Sequence, residues 1–172
     1  MKHILIVAVI GSLTCLLRQE AVAQTANSSP FLDSIAEQDE LSIEQIKSHT
    51  SIDSVYYSGR FSRAGFIGDT VFQFSNGFIG AIITHDDRMV CVSKFLLIFR
   101  PSDYRNTASG IVNTDCDKDG SSAYNKRRYK LLLSESMFET IQSYYPRGSD
   151  KPNKVDRTKW KVTDKGTVVQ VK

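Results

Sequence analysis

Alternating apolar and polar positions in the middle of the chain are typical of β-strands. Residues 70–75 and 78–84 are rich in β-branched and aromatic side chains, and Asn76-Gly77 separates them. An Asn-Gly pair readily supplies the positive φ angles of a two-residue type I′ turn, so the pattern predicts a β-hairpin. In that register two pairs share one face, Phe74 with Ile79 and Phe72 with Ala81.

Further strands are predicted on both sides of this hairpin. Near the C-terminus Trp160 and Val162 alternate with lysines, which predicts a second hairpin with one buried and one solvent-exposed face. Residues 107–120 contain many loop-forming side chains and predict a loop instead. The predicted strands are residues 55–57, 88–100 (long or broken), 124–133, 158–163 and 167–172.

Two segments have the composition and spacing of helices. Residues 31–50 are acidic and helix-prone, and Ser42 with Gln45 three residues later forms a capping-box pattern. Residues 134–145 predict a short helix with an apolar face. That face would comprise Phe138, Ile141 and Tyr145.

Together these elements predict an α+β fold. It would consist of a predominantly antiparallel sheet of six or seven strands, which could curl into a partial barrel. One helix would precede the sheet, and a short helix would precede the C-terminal hairpin. Residues 31–172 are long enough for one globular domain, and the polar residues 24–30 before them predict a disordered tail.

The first 23 residues have the pattern of a secretory signal peptide. A short basic start precedes the apolar run 4–17, and Ala21-Val22-Ala23 matches a signal-peptidase site. We therefore expect cleavage near Ala23 and a secreted or periplasmic protein. Lipoprotein anchoring through Cys15 is a weaker alternative, because Ser12-Leu13-Thr14 matches the usual recognition sequence poorly.

After cleavage two cysteines remain, Cys91 and Cys116. An even pair in an oxidising compartment predicts a disulfide bond, and the alternative is two unpaired thiols with Cys91 buried in a strand. No second stretch is long and uncharged enough to cross a membrane. The mature chain is therefore expected to be soluble or peripherally attached, and monomeric.

Charge is segregated along the chain. Residues 24–59 carry one basic and six acidic side chains, and residues 60–124 carry seven of each. Residues 125–172 carry twelve basic and five acidic side chains, so the formal net charge of +3 conceals a strongly basic C-terminal part. Such polarity can favour an anionic ligand, and another envelope protein is the other partner that we consider.

The basic residues that could bind a ligand lie around position 127. In a strand, alternate residues face the same side, and a basic stripe beside an aromatic ring can bind anionic polymers or lipid headgroups. The alternatives are a solvated face, or a stripe that pairs with the acidic N-terminal helix. The candidate ligand-binding residues are Tyr124, Lys126, Arg128 and Lys130.

Three alternating carboxylates suggest a weak calcium loop. Asp115, Asp117 and Asp119 precede Gly120, as at the start of a calcium-binding loop. The match then fails, because Lys126 occupies the position of the bidentate glutamate. A solvated acidic turn is the alternative, and no other cofactor is predicted.

Catalytic motifs are absent from the sequence: it contains no Gly-x-Ser-x-Gly, HExxH, phosphate-binding glycine loop or dinucleotide fingerprint. His85, beside Asp86 and Asp87, is the weak candidate for a general base. The sequence therefore favours a small exported, non-catalytic binding or interaction protein of the cell envelope or extracellular space. A small secreted phosphodiesterase-like hydrolase using His85 is the alternative.

Overall fold

A computed structural model describes residues 29–58, 65–87, 91–116 and 123–171. The predicted signal peptide, its cleavage site and Cys15 lie outside these residues, as does most of the predicted disordered tail. The carboxylates Asp117 and Asp119 also lie outside them. The predictions that concern these residues stay predictions.

Nine strands of the described residues form one open antiparallel sheet, in which each strand pairs with the next along the chain. The antiparallel α+β architecture is confirmed, but the predicted six or seven strands were too few. The strands are β1 (Glu40–Leu41), β2 (Gly65–Gln73), β3 (Ile79–Asp86), β4 (Cys91–Phe99), β5 (Asn106–Cys116), β6 (Tyr124–Leu132), β7 (Met137–Tyr145), β8 (Lys154–Val162) and β9 (Val168–Val171).

Two short α-helices, α1 (Pro30–Ala36) and α2 (Ile43–His49), occupy the predicted N-terminal helical segment. The predicted capping box is present at α2. The Ser42 hydroxyl accepts a hydrogen bond from the Gln45 amide at 3.2 Å, and the Gln45 side-chain oxygen accepts one from the Ser42 amide at 2.8 Å. No helix in the described ranges is long and apolar enough to span a bilayer.

The first predicted hairpin is present, but its turn is longer than expected. The Phe74 amide bonds the Phe78 carbonyl and the Gly77 amide bonds the Phe74 carbonyl, so residues 75–77 form the loop. Gly77 alone in this loop has a positive φ, of 88°, as in a type I turn followed by a glycine bulge. Phe72 therefore pairs with Gly80 rather than with Ala81, a shift of one residue.

Three predicted elements are wrong. Residues 134–145 form β7 after a 3₁₀ turn, not a helix. Residues 107–116 belong to β5 rather than to a loop. Residues 54–56 form a 3₁₀ turn rather than the start of a strand.

The helices cover one side of the first half of the sheet. Ile35 of α1 and Ile46 of α2 are fully buried in a cluster with strand residues of β2 to β4. Apolar burial of this kind is the main favourable term in folding. The strand residues of this first core are Phe66, Ala81, Ile83, Phe95, Leu97 and Phe99.

A second core joins the two halves of the sheet. Its buried residues come from the β2–β3 connection and from β3, β4 and β5 in the first half, and from β7 and β8 in the second. The sheet therefore folds over, so that β7 and β8 pack on β3 and β4. The members of this core are Phe74, Phe78, Ile82, Leu96, Ile98, Val112, Phe138 and Val162.

Hydrogen bonds between loops hold one end of the folded sheet together. The Asn76 side chain donates to the Val162 carbonyl at 2.9 Å, and the Asn76 amide donates to the Ser136 hydroxyl at 2.9 Å. The Thr107 hydroxyl donates to the Gly166 carbonyl at 2.9 Å. The β2–β3 loop and the start of β5 are thus attached to the last two strands.

The predicted disulfide bond is confirmed. Cys91 at the start of β4 pairs in register with Cys116 at the end of β5, and their sulfur atoms are bonded. The bond closes the open ends of the β4–β5 hairpin. It also fixes the chain just before the connection to β6.

We predict that Gly68→Ala destabilises the fold by about 1–3 kcal/mol. An added Cβ at Gly68 would lie 2.5 Å from the Ile35 Cα, so helix α1 would have to move. Gly110→Ala is the matched control, because a Cβ there meets nothing within 4 Å. Chemical denaturation of both variants measures the difference, and equal stabilities would contradict the close approach of α1 to β2.

We predict that the double change Cys91→Ser, Cys116→Ser lowers the free energy of unfolding by about 3.5 kcal/mol, because the unfolded chain regains loop entropy. Urea denaturation measures the loss. A reducing agent should lower the stability of the wild-type protein similarly and leave the double variant unchanged. An equal response of both proteins to the reducing agent would contradict this role of the bond.

Candidate functional site

The second half of the sheet has two chemically distinct faces, because strand side chains alternate. β6, β7, β8 and β9 pair without a bulge, so the alternation continues across all four strands. One set of positions, including Phe138 and Val162, is buried in the second core. The opposite set forms what we call the outer face of β6–β9.

Five cations are exposed on the outer face. Arg128 of β6 and Arg157 of β8 both lie level with Ile141 of β7. Neighbouring strands lie about 4.8 Å apart, so the β6 and β8 cations form two rows roughly 10 Å apart. The exposed cations are Arg128, Lys130, Arg157, Lys159 and Lys161.

Few acids balance these cations. Lys126 pairs with Asp115 of β5 at 2.7 Å, and Arg157 lies 3.7 Å from Glu139, which sits between the two rows. Within the described residues, the other four exposed cations of the face form no ion pair. The acidic N-terminal helices therefore do not neutralise the stripe, which keeps a net positive charge.

Apolar and aromatic groups accompany the cations. Tyr124 and Tyr145 stack at one end of the outer face, with ring centroids 4.5 Å apart and an interplanar angle of 5°. Val155 and Val169 expose 46% and 43% of their surface on the same face. The face therefore combines positive charge with exposed apolar surface.

The four ligand-binding candidates predicted from the sequence all lie on the β6 part of the outer face. Tyr124, Lys126, Arg128 and Lys130 lie on one face of β6, as alternate strand residues must. The sequence did not predict that these residues share a face with the β8 cations. It did predict a solvent-exposed face on β8, from the alternation of Lys159 and Lys161 with Trp160. The helix wrongly predicted at 134–145 concealed β7, the strand that lies between β6 and β8 and aligns their outer faces.

The calcium hypothesis remains untested, since of its three carboxylates the structure describes only Asp115. The Asp115 carboxylate is an ion-pair partner of Lys126. No group of three or more His, Cys, Asp or Glu side chains in the described residues could hold a metal ion.

His85 lies in β3, where it packs among aromatic rings and is only 3% exposed. Its Nε2 atom lies 2.9 Å from the Tyr56 carbonyl oxygen, and the Phe66 ring centroid lies 4.8 Å from its own. Burial lowers the pKa of His85 below its ordinary value of 6.5, although the Tyr56 carbonyl and the charges of Asp87 and Asp86 act to raise it. These contacts resemble those of a structural core histidine.

Comparisons with protein-family models, with curated proteins and with solved structures return no match for this chain.

We predict that protonation of His85 contributes to acid destabilisation. The folded state favours the neutral ring, so the stability that this ring contributes is complete above pH 6.5 and is lost as the pH falls below 6.5. His85→Gln removes the titration. The stability difference between wild type and variant should shrink as the pH falls from about 7.5 to about 5.5, and a constant difference in urea denaturation would refute the prediction.

Proposed function

We propose that this protein is an exported, non-catalytic binding protein whose outer face of β6–β9 docks on an anionic lipid surface. One observation carries the proposal: β6 and β8, with β7 between them, present five exposed cations on one side of the sheet. Basic residues near an anionic membrane each contribute roughly 1 kcal/mol of attraction. Several weak contacts of this kind can therefore add to a useful affinity.

The shape of the face favours a surface over a single extended polymer. The cations form two rows on β6 and β8 rather than one groove along a strand. Val155 and Val169 lie among them and expose apolar surface, which suits the boundary between headgroups and acyl chains. The Tyr124–Tyr145 stack adds aromatic rings, and tyrosine is favoured at that boundary.

Export is part of the proposal and is supported by two features. The N-terminal sequence has the pattern of a cleavable signal peptide. The Cys91–Cys116 bond is compatible with an oxidising compartment. In such a compartment, the anionic headgroups of the cell envelope are a partner that the basic face could reach.

Vesicle binding tests the proposal. Phosphatidylcholine vesicles with and without phosphatidylglycerol are compared by co-sedimentation of the exported chain after signal-peptide cleavage, and the difference between them isolates charge-dependent binding. Lys130→Gln with Lys159→Gln should weaken that component roughly 30-fold, because two cations are lost. Added salt should reduce the charge-dependent component for the wild type, since it screens surface charge.

Lys47→Gln with Arg105→Gln is the matched control, since both cations are exposed and both lie before β6, away from the outer face of β6–β9. This control has the same net charge as the test variant and should bind like the wild type. If both variants lost the same amount of vesicle binding, net charge alone would explain the effect. That result would refute docking through the outer face of β6–β9. Undiminished vesicle binding by the test variant, with weakened binding of a dissolved sulfated polysaccharide, would identify a soluble polyanion instead and refute lipid docking.

A further inference from the structure

A cleft of about 660 Å³ opens between the two halves of the folded sheet. It adjoins the second core on the side of β6–β9 that faces away from the basic outer face. Its volume is within the range of small-molecule sites, which span roughly 300–1,000 Å³. Its apolar lining residues include Leu96, Ile98, Val112, Phe138, Trp160 and Val168.

Arg127 of β6 holds a fixed position in this cleft. Its Nε donates to the Gln142 side-chain oxygen at 2.9 Å, and an Nη atom donates to the Ile111 carbonyl at 3.1 Å. β5 and β6 pair in register at one position, Thr114 with Arg127. The guanidinium thus bonds a β5 carbonyl close to where the ladder between these strands ends.

The charge of Arg127 is not balanced by the residues around it. A guanidinium has five donors, and both of the acceptors named above are neutral. Asp156 also lines the cleft, but Lys154 lies 2.8 Å from it. The hydrogen bond from Lys154 holds the pKa of Asp156 below its ordinary value. Among the described lining residues Arg127 is the only cation, and it forms no ion pair.

An aromatic platform lies in the same cleft. The Trp160 indole nitrogen donates to the Thr140 hydroxyl at 2.9 Å, which fixes the orientation of the ring. The Phe138 and Trp160 rings stack with centroids 6.3 Å apart and an interplanar angle of 17°. This platform offers apolar ring surface to the cleft mainly through Trp160, because Phe138 is only 5% exposed.

We propose that the cleft binds a small amphipathic monoanion, whose apolar body lies on the Phe138–Trp160 platform and whose carboxylate pairs with Arg127. Planar carboxylates match the fork of guanidinium donors and form charge-assisted hydrogen bonds with it. A single lining cation suits a single negative charge better than a phosphate dianion. The site is independent of the outer basic face, although both use β6.

Decanoate and the uncharged 1-decanol are suitable probes, because they differ mainly in the head group. Trp160 is the only tryptophan of the chain and lines the cleft, so its fluorescence reports binding there. Decanoate should change Trp160 emission in a saturable way and bind at least about tenfold more tightly than decanol. Arg127→Met should abolish that preference, because it keeps the side-chain bulk and removes the charge.

Arg128→Met is the matched control, since Arg128 is the next residue on β6 and points to the opposite face. Arg128→Met should retain the preference for decanoate and weaken binding to anionic vesicles. Arg127→Met should lose the preference for decanoate and bind anionic vesicles like the wild type. Failure of the cleft proposal and failure of the lipid-docking proposal are therefore distinguishable.

Gly110→Leu provides a second test that does not depend on the folding of the arginine variants. Gly110 lines the cleft, and a Cβ there meets nothing within 4 Å, so a larger side chain can enter the open space. This variant should weaken the binding of both probes. The proposal is overturned if decanoate gives no saturable signal, if decanol binds equally well, or if Gly110→Leu leaves the binding of both probes unchanged.

Discussion

The apolar contact between the two halves of the sheet determines most of what the molecule presents to solvent. Among the described residues, β5 and β6 share one register pair, so few backbone hydrogen bonds join them. Each such bond contributes only about 1 kcal/mol to stability. By contrast, burial of a large apolar side chain contributes roughly 1.5–3 kcal/mol, and Ile82, Leu96, Ile98, Phe138 and Val162 are all buried in the second core. Side-chain packing rather than the β-ladder therefore holds the halves together.

Packing of the two halves of the sheet against each other determines which face of β6–β9 is buried and which is exposed. Once Phe138 and Val162 are buried against the first half, the alternate positions on the same strands must face solvent. Those positions carry Arg128, Lys130 and the β8 cations. The acidic residues of α1 and α2 lie on the first half and form no ion pair with the exposed cations among the described residues. Charge segregation along the chain thus becomes charge segregation across the molecule.

The parts of the fold that the sequence predicted correctly have strong local signals. The Asn76-Gly77 turn, the capping box at Ser42 and the Trp160–Val162 alternation each depend on neighbouring residues. The exact hairpin register could not be predicted, because a single positive φ at Gly77 permits a three-residue loop. The choice between the two loops depends on packing beyond the turn.

The sequence missed three strands: β1, which lies within the predicted helical segment 31–50, and β5 and β7, which both line the cleft. On β7 the positions facing the cleft include Thr140 and Gln142, so the apolar alternation stops after Phe138 and leaves a helix-like spacing to Ile141 and Tyr145. On β5 the corresponding positions are the small residues Ala108 and Gly110. A strand cannot be recognised from apolar–polar alternation when neither of its faces is consistently apolar. In this protein such strands line the open part of the folded sheet.

The boundary between core and cleft follows from the same residues. Along β7 the inward positions change from Phe138 to Thr140 and Gln142, and along β8 they change from Val162 and Trp160 to Thr158 and Asp156. Burial of the charge of Arg127, which hydrogen-bonds Gln142 but forms no ion pair with a described residue, would cost free energy, so closing the sheet over these positions would be unfavourable. The small residues of β5 cannot fill the space from the other side. Consequently the packing that seals one end of the folded sheet cannot extend to the other, and Arg127 lies at the end that stays open.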